Sequence, residues 1–242
     1  MSGHSHAKTI KHQKDITDQK RGKVFSKMAR LITIAAKEKG GNPETNSALK
    51  IAMGKAKEFN MPKDNIERAI KRGTGELAGE KLESVLFEAY GPEGIAIIIE
   101  GITDNKNRTL GEIKQILNQN NGKLADSGSV KWMFERKGYV AINTNNQDSK
   151  IKEELEITAI EAGAEDIYWN NDILDIYTKP EEIEKIKKIL EEKGIQLEPS
   201  TLDWVAKEEI EVDQKTKDAC QRLFELLDEN DAIQEIYSNL KE

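Results

Sequence analysis

Three imidazoles (His4, His6 and His12), six cations (Lys8, Lys11, Lys14, Lys20, Arg21 and Lys23) and the small residues Gly3 and Ser5 fall within the first 23 residues, opposed by the carboxylates Asp15 and Asp18. The chemistry open to such a stretch is phosphate binding. Ammonium and guanidinium groups displace counterions from a polyanion, and an imidazole that is neutral near pH 7 gains a proton beside a bound anion. No aromatic residue is interleaved before Phe25, which points to phosphate contacts and away from base stacking by this arm. His4-x-His6 with His12 and Asp15 has the donor types of a divalent-metal site, but a polar arm offers nothing to orient the ligands, so no metal is expected.

Catalytic chemistry finds no comparable foothold. All the histidines lie in the arm, so no Ser/His/Asp set is available. The pairs Glu181-Glu182, Glu191-Glu192 and Glu208-Glu209 read as solvated faces. No G-x-x-x-x-G-K-[ST] loop is present, and Gly91-x-x-Gly94 lies between two strand-like runs, where it serves as a turn. A single cysteine, Cys220, excludes an intrachain disulfide, and its place in the apolar helical stripe Ala219, Cys220, Leu223, Phe224 and Leu227 is a packing position rather than a nucleophile's. No catalytic residue, cofactor or small-molecule substrate is expected.

The arm belongs to a polarised chain. Its formal charge is −7 over 242 residues, but residues 1–75 hold 17 Lys and Arg against 7 Asp and Glu, a net of +10, leaving −17 for the remainder. A basic end attracts phosphate backbones and an acidic body limits non-specific adhesion to them. The longest apolar run, Ile95–Ile99, falls far short of the roughly 20 residues that span a bilayer. No signal-like apolar segment opens the sequence. With a single cysteine, these features give the expectation of a cytoplasmic protein without membrane contact.

The elements that position the arm follow from periodicity. Val24, Phe25, Met28, Ile32, Ala35 and Ala36 recur at helical spacing, with Lys20, Lys23, Lys27 and Arg30 mostly on other faces. Gly40-Gly41 ends this helix. Asn42-Pro43-Glu44 opens a second, through Ala48, Ala52, Ala56 and Phe59, and Pro62 opens a third, with Gly73 as its left-handed terminator. Two apolar runs, 82–90 and 95–102, flank the Gly91–Gly94 turn as a hairpin. Asp104 to Thr109 caps a helix carrying Leu110, Ile113, Ile116 and Leu117 that Gly122 stops, and Ser129–Phe134 reads as a third strand. From Tyr139 the order is βαββαβ, with strands at 139–142, 167–169, 173–178 and 195–197, the ferredoxin-like arrangement. The last stretch, with Leu202–Val205, a helix from Asp213 to Asn230 and a strand at 233–237, lacks partners unless it returns to the hairpin unit. The expected fold is therefore α+β with three domains: residues 1–75, the basic arm and a three-helix bundle; residues 76–136 with 201–242, a discontinuous α/β domain; and residues 137–200, a ferredoxin-like domain inserted in it.

The chain resembles the YebC/PmpR family, whose members include a mitochondrial translational activator of cytochrome oxidase. The family opening G-H-S-K-W-A-N-I-K-H-R-K stands here as Gly3-His4-Ser5-His6-Ala7-Lys8-Thr9-Ile10-Lys11-His12-Gln13-Lys14. Further matches are Lys20-Arg21-Gly22-Lys23, Tyr90-Gly91-Pro92, Asp104-Asn105 with Asn107-Arg108-Thr109, and Gly128-Ser129-Val130 with Phe134. Departures fall mostly in the arm, where His6-Ala7 replaces Lys-Trp and Gln13 an arginine. The resemblance implies the same three domains and a gene-expression regulator without catalytic residues. Members are described as DNA-binding transcriptional regulators, and as ribosome-associated factors that relieve stalling at proline runs.

Together these give an expected nucleic-acid site of Gly3, His4, Ser5, Lys8, Lys11, His12, Lys14, Lys20, Arg21, Lys23, Lys27 and Arg30, with Asn105, Asn107 and Arg108 as a secondary site that would serve equally as a helix cap. The expected partner is DNA, or ribosomal or transfer RNA. No helix rich in Arg, Asn and Gln stands out for reading base edges, which favours a structured RNA. A protein–protein adaptor working through its acidic domains is the alternative of a different class.

Overall fold

The computed structural model describes residues 18–144, 149–198 and 200–241. The protein is α+β, with seven α-helices and two four-stranded antiparallel sheets among the described residues. It forms two compact units, one of residues 135–205 and one of the chain on either side of that stretch.

In the larger unit, α1 (Asp18–Lys39), α2 (Ser47–Glu58) and α3 (Lys63–Thr74) pack as a small bundle around Ile32, Ala36, Leu49, Ala52, Ala56, Ile66 and Ala69. Alanines along the seam let α1 and α3 approach closely. At Gly73 an added Cβ would collide with the Thr33 carbonyl and the Ala36 methyl, so this glycine serves packing. The left-handed terminator expected there is two residues later, at Gly75 (φ 83°). The second helix also begins later than Asn42-Pro43-Glu44 suggested. Buried Asn46 caps it through Leu49 N–H and donates to the Ala35 and Gly40 carbonyls at 2.8 and 2.7 Å, so one amide joins the end of α1 to the start of α2.

The same unit contains β1 (Glu83–Tyr90), β2 (Ala96–Thr103), α4 (Lys106–Gln119), β3 (Lys123–Leu124) and, after the other unit, α7 (Gln214–Asp228) and β8 (Ile233–Ser238), in the sheet order β3-β1-β2-β8. One face carries Val85, Phe87, Ala89, Ile97 and Ile99 against Ile113 and Leu117 of α4 and Cys220, Leu223, Phe224 and Leu227 of α7. Ile95 to Ile99 are buried without interruption, because β2 lies inside the sheet and α1 touches it as well. After α4 the left-handed position is Asn121 (φ 57°), while Gly122 admits the turn against the Tyr90 carbonyl, which a Cβ would meet at 2.9 Å.

Ser129–Phe134 is not a strand. The Glu88 carboxylate, 4% exposed, accepts the N–H groups of Gly128, Val130 and Lys131 at 2.6, 2.6 and 2.7 Å, and wraps the segment into a turn followed by a 3-10 turn at Lys131–Met133. The missing strand pairing is thus replaced by a buried acid, which period-two reading of the segment cannot reveal.

The smaller unit holds β4 (Phe134–Asn143), α5 (Ser149–Ala162), β5 (Asp166–Asn170), β6 (Ile173–Thr178), α6 (Ile183–Glu192) and β7 (Thr201–Ala206). Its sheet order, β5-β6-β4-β7, is the ferredoxin-like one, and Leu155, Ala159, Ile186 and Leu190 from the two helices fill one face. The last strand is therefore Thr201–Ala206. Ile195–Leu197 is irregular, and Leu202–Val205, expected to return to the hairpin unit, pairs beside β4 instead.

Candidate nucleic-acid interface

Gly3, His4, Ser5, Lys8, Lys11, His12 and Lys14 lie outside the described residues, and Lys20 is described by its backbone alone. The rest of the expected primary site falls on the first half of α1, where the structure divides it. Lys27 is 8% exposed; its ammonium donates to the Asp228 carboxylate at 2.7 Å and to the Asp228 carbonyl at 2.6 Å. Lys23 reaches the Glu229 carbonyl at 3.4 Å. Both cations sit at the C-terminal end of α7, where the helix dipole favours positive charge. Arg30 donates to the Ile102 carbonyl at 3.0 Å. Lys27 and Arg30 are thus committed inside the unit, holding α1 against α7 and β2, which narrows the phosphate-holding set expected on this helix. Arg21 and Gly22, nearer the start of the helix, are exposed.

Two further lysines extend this seam. Lys37 donates to the Leu82 carbonyl at 2.7 Å, and Lys55 pairs with Glu235 at 3.4 Å. Part of the basic excess of the bundle therefore meets acids and carbonyls of the adjoining sheet. Apolar periodicity places these lysines on the polar side of their helices, and sequence carries no signal for which ones find a partner.

The secondary site is a helix start. Asn105 caps α4, its side chain accepting Arg108 N–H at 3.1 Å, and Asn107 is exposed in the first turn. The Arg108 guanidinium is bound to the Asp104 carboxylate and lies 3.7 Å from Glu112. The Arg108 hydrogen bond holds the Asp104 carboxyl below the usual carboxylate range, aided by the positive charge of Arg30, and Asp104 in turn raises Arg108. Residues of the two expected sites lie close together: α1 delivers Arg30 to the end of β2, beside the turn that presents Asn105, Asn107 and Arg108.

Next to this meeting point is a cavity of about 310 Å³ lined by Ser26, Ala29, Arg30, Thr33, Arg72, Ala78, Gly79, Glu80 and Leu82. Arg72, from the last turn of α3, packs its stem against Gly79 and brings a second guanidinium to the wall. Sequence reading missed Arg72, because its place in the site depends on the α1–α3 crossing that Gly73 permits. With Arg30 tied to the Ile102 carbonyl, the lining groups suited to an oxyanion are Arg72 and Ser26, with Glu80 as the acidic element.

Among the described residues no cluster of His, Cys, Asp and Glu could hold a metal ion, and no helix is long and apolar enough to cross a membrane. Burial pushes the Cys220 thiol up to about 11, as its packing position leads one to expect.

Relatives have the same extent. A probable transcriptional regulatory protein of Halothermothrix orenii is 47% identical over 99% of this chain and 94% of its own length. One from Caldanaerobacter subterraneus is 44% identical over 100% and 98%. The crystal structure of a conserved hypothetical protein from Aquifex aeolicus superposes with a TM-score of 0.87 at 40% identity, covering 96% of this chain and 95% of that one. A family model described as the TACO1/YebC N-terminal domain matches residues 5–76, and another, described as the TACO1/YebC second and third domain, matches residues 82–240. The chain belongs to the TACO1/YebC family.

Proposed function

We propose that this protein is a non-enzymatic regulator of gene expression that binds nucleic acid through its N-terminal arm and the exposed start of α1. The observation that carries this is the segregation of charge, +10 over residues 1–75 against −17 over the rest. Lys27 and Arg30 anchor α1 to α7 and β2, so the helix that follows the arm in sequence is fixed on the larger unit. Arm cations then hold phosphates, with Arg72 at the nearby cavity and Asn105, Asn107 and Arg108 beside it as further contacts. The name shared by the relatives favours transcription, with duplex DNA as the polyanion.

Deleting residues 2–23 tests the reading. The full chain is expected to bind duplex DNA in dilute buffer with a steep loss of affinity as salt rises, and the deleted chain to lose both the binding and the slope. Promoter protection by the full chain supports transcription. Salt-sensitive sedimentation with ribosomal particles, without such protection, places the same grip on ribosomal RNA. Equal binding by the two chains, or none by either, overturns the proposal.

A further inference from the structure

Trp132 is 63% exposed, the most exposed large apolar side chain among the described residues. It is also held in place. Its indole N–H donates to the Ser129 carbonyl at 2.9 Å, the same oxygen that accepts the Tyr90 hydroxyl at 3.1 Å, and three hydrogen bonds from Gly128, Val130 and Lys131 to buried Glu88 clamp the loop that carries both Ser129 and Trp132. With both polar ring edges engaged on one oxygen, what Trp132 offers a ligand is its π face.

Tyr90 also lines a cleft of about 460 Å³ with Gly91, Glu93, Gly94, Asn121, Gly122 and Lys123, within the size range of small-ligand sites. The Lys123 ammonium lies 5.6 Å from the Tyr90 ring centre. Two of the four non-glycine residues at positive φ among the described residues, Glu93 (φ 53°) and Asn121 (φ 57°), line this cleft. Asparagine adopts that conformation readily, whereas glutamate has no local hydrogen bonding to favour it. The cleft therefore combines one ammonium, one carboxylate and peptide groups bare of side chains, beside a fixed and exposed aromatic face.

We propose that this surface is a second nucleic-acid subsite, for unpaired nucleotides of a single strand. One base stacks on Trp132, and an adjoining nucleotide enters the cleft, its phosphate on Lys123 and an exocyclic amine on Glu93. The charge pattern selects this occupant: a nucleotide carries a flat ring, an anion and, in cytosine and adenine, an amino donor for a carboxylate. The inference rests on the proposed nucleic-acid function, but the surface is separate from the arm, and single strands distinguish the two.

The test measures binding of a cytidine octaribonucleotide and of a blunt RNA duplex to the full chain. Trp132→Ala is expected to weaken octamer binding about tenfold. Trp132→Phe is expected to restore most of it, and duplex binding to stay at the wild-type level in both. Glu93→Gln is expected to remove the preference for the cytidine octamer over a uridine octamer. Equal octamer binding by wild type and Trp132→Ala overturns the subsite while leaving the arm's function standing, as does wild-type binding to the duplex alone. Wild-type binding to neither RNA, nor to DNA, overturns both proposals.

Discussion

Lys27 shows how one side chain divides between two roles that composition cannot separate. It belongs by charge to the basic face of α1, yet its ammonium is closed against Asp228. Lys27→Met keeps the apolar stem and leaves that acid without its cation; the expected loss is about 1–3 kcal/mol of stability by urea unfolding. DNA affinity of the folded fraction is expected to stay unchanged. Lys11→Gln should do the reverse, leaving unfolding unaltered and lowering the slope of log affinity against log salt by about one. Cys220 makes a similar point about reactivity. Buried among Leu223, Phe224 and Leu227, with its thiol raised to about 11, it is expected to resist a disulfide reagent at pH 8 until denaturant opens the core.

At the level of elements, the loop built on Glu88 sets the terms. Burial alone would push this carboxyl up, but the backbone N–H groups of Gly128, Lys131 and Val130 and the charge of Lys131 outweigh it and hold it below the ordinary range. A depressed folded value stabilises the protein fully above the unfolded glutamate value of about 4.3, and the contribution disappears as pH falls through the lower folded value. Amide exchange at Gly128, Val130 and Lys131 is therefore expected to be slow at pH 6 and to lose its protection selectively in acid. Glu88→Gln, which presents an NH₂ group to N–H donors, should remove that protection at all pH values and cost about 1–3 kcal/mol.

Local pattern made the helices and the hairpin strands legible: the isoleucines at 95–99 and the Asn105 cap are signals within a few residues of what they specify. What could not be read locally was settled at a distance. Glu88 is a strand residue whose partners lie some forty positions on, and Gly73 owes its identity to Thr33 and Ala36 across a helix crossing. The site divides in the same way. The arm's chemistry is visible as composition, while the partners of Lys27 and Arg30, the approach of Arg72 and the pose of Trp132 arise only on folding.

For the whole molecule, the smaller unit departs and returns through neighbouring positions. Lys207 N–H donates to the Met133 carbonyl at 2.9 Å, so the larger unit closes its own chain across the gap, and β4 and β7 run side by side from there. Replacing residues 135–205 with a short Gly/Ser link is expected to leave the larger unit folded, its amide spectrum little changed away from the junction and its DNA binding intact.

That doorway of two adjacent strands has a use beyond excision. Any foreign module whose ends emerge close together, a fluorescent barrel for instance, can be spliced in at Phe134 and Ala206 without stretching its host. The protein thus carries a built-in socket through which recombination, natural or in the laboratory, can exchange cargo while the larger unit stays as it is.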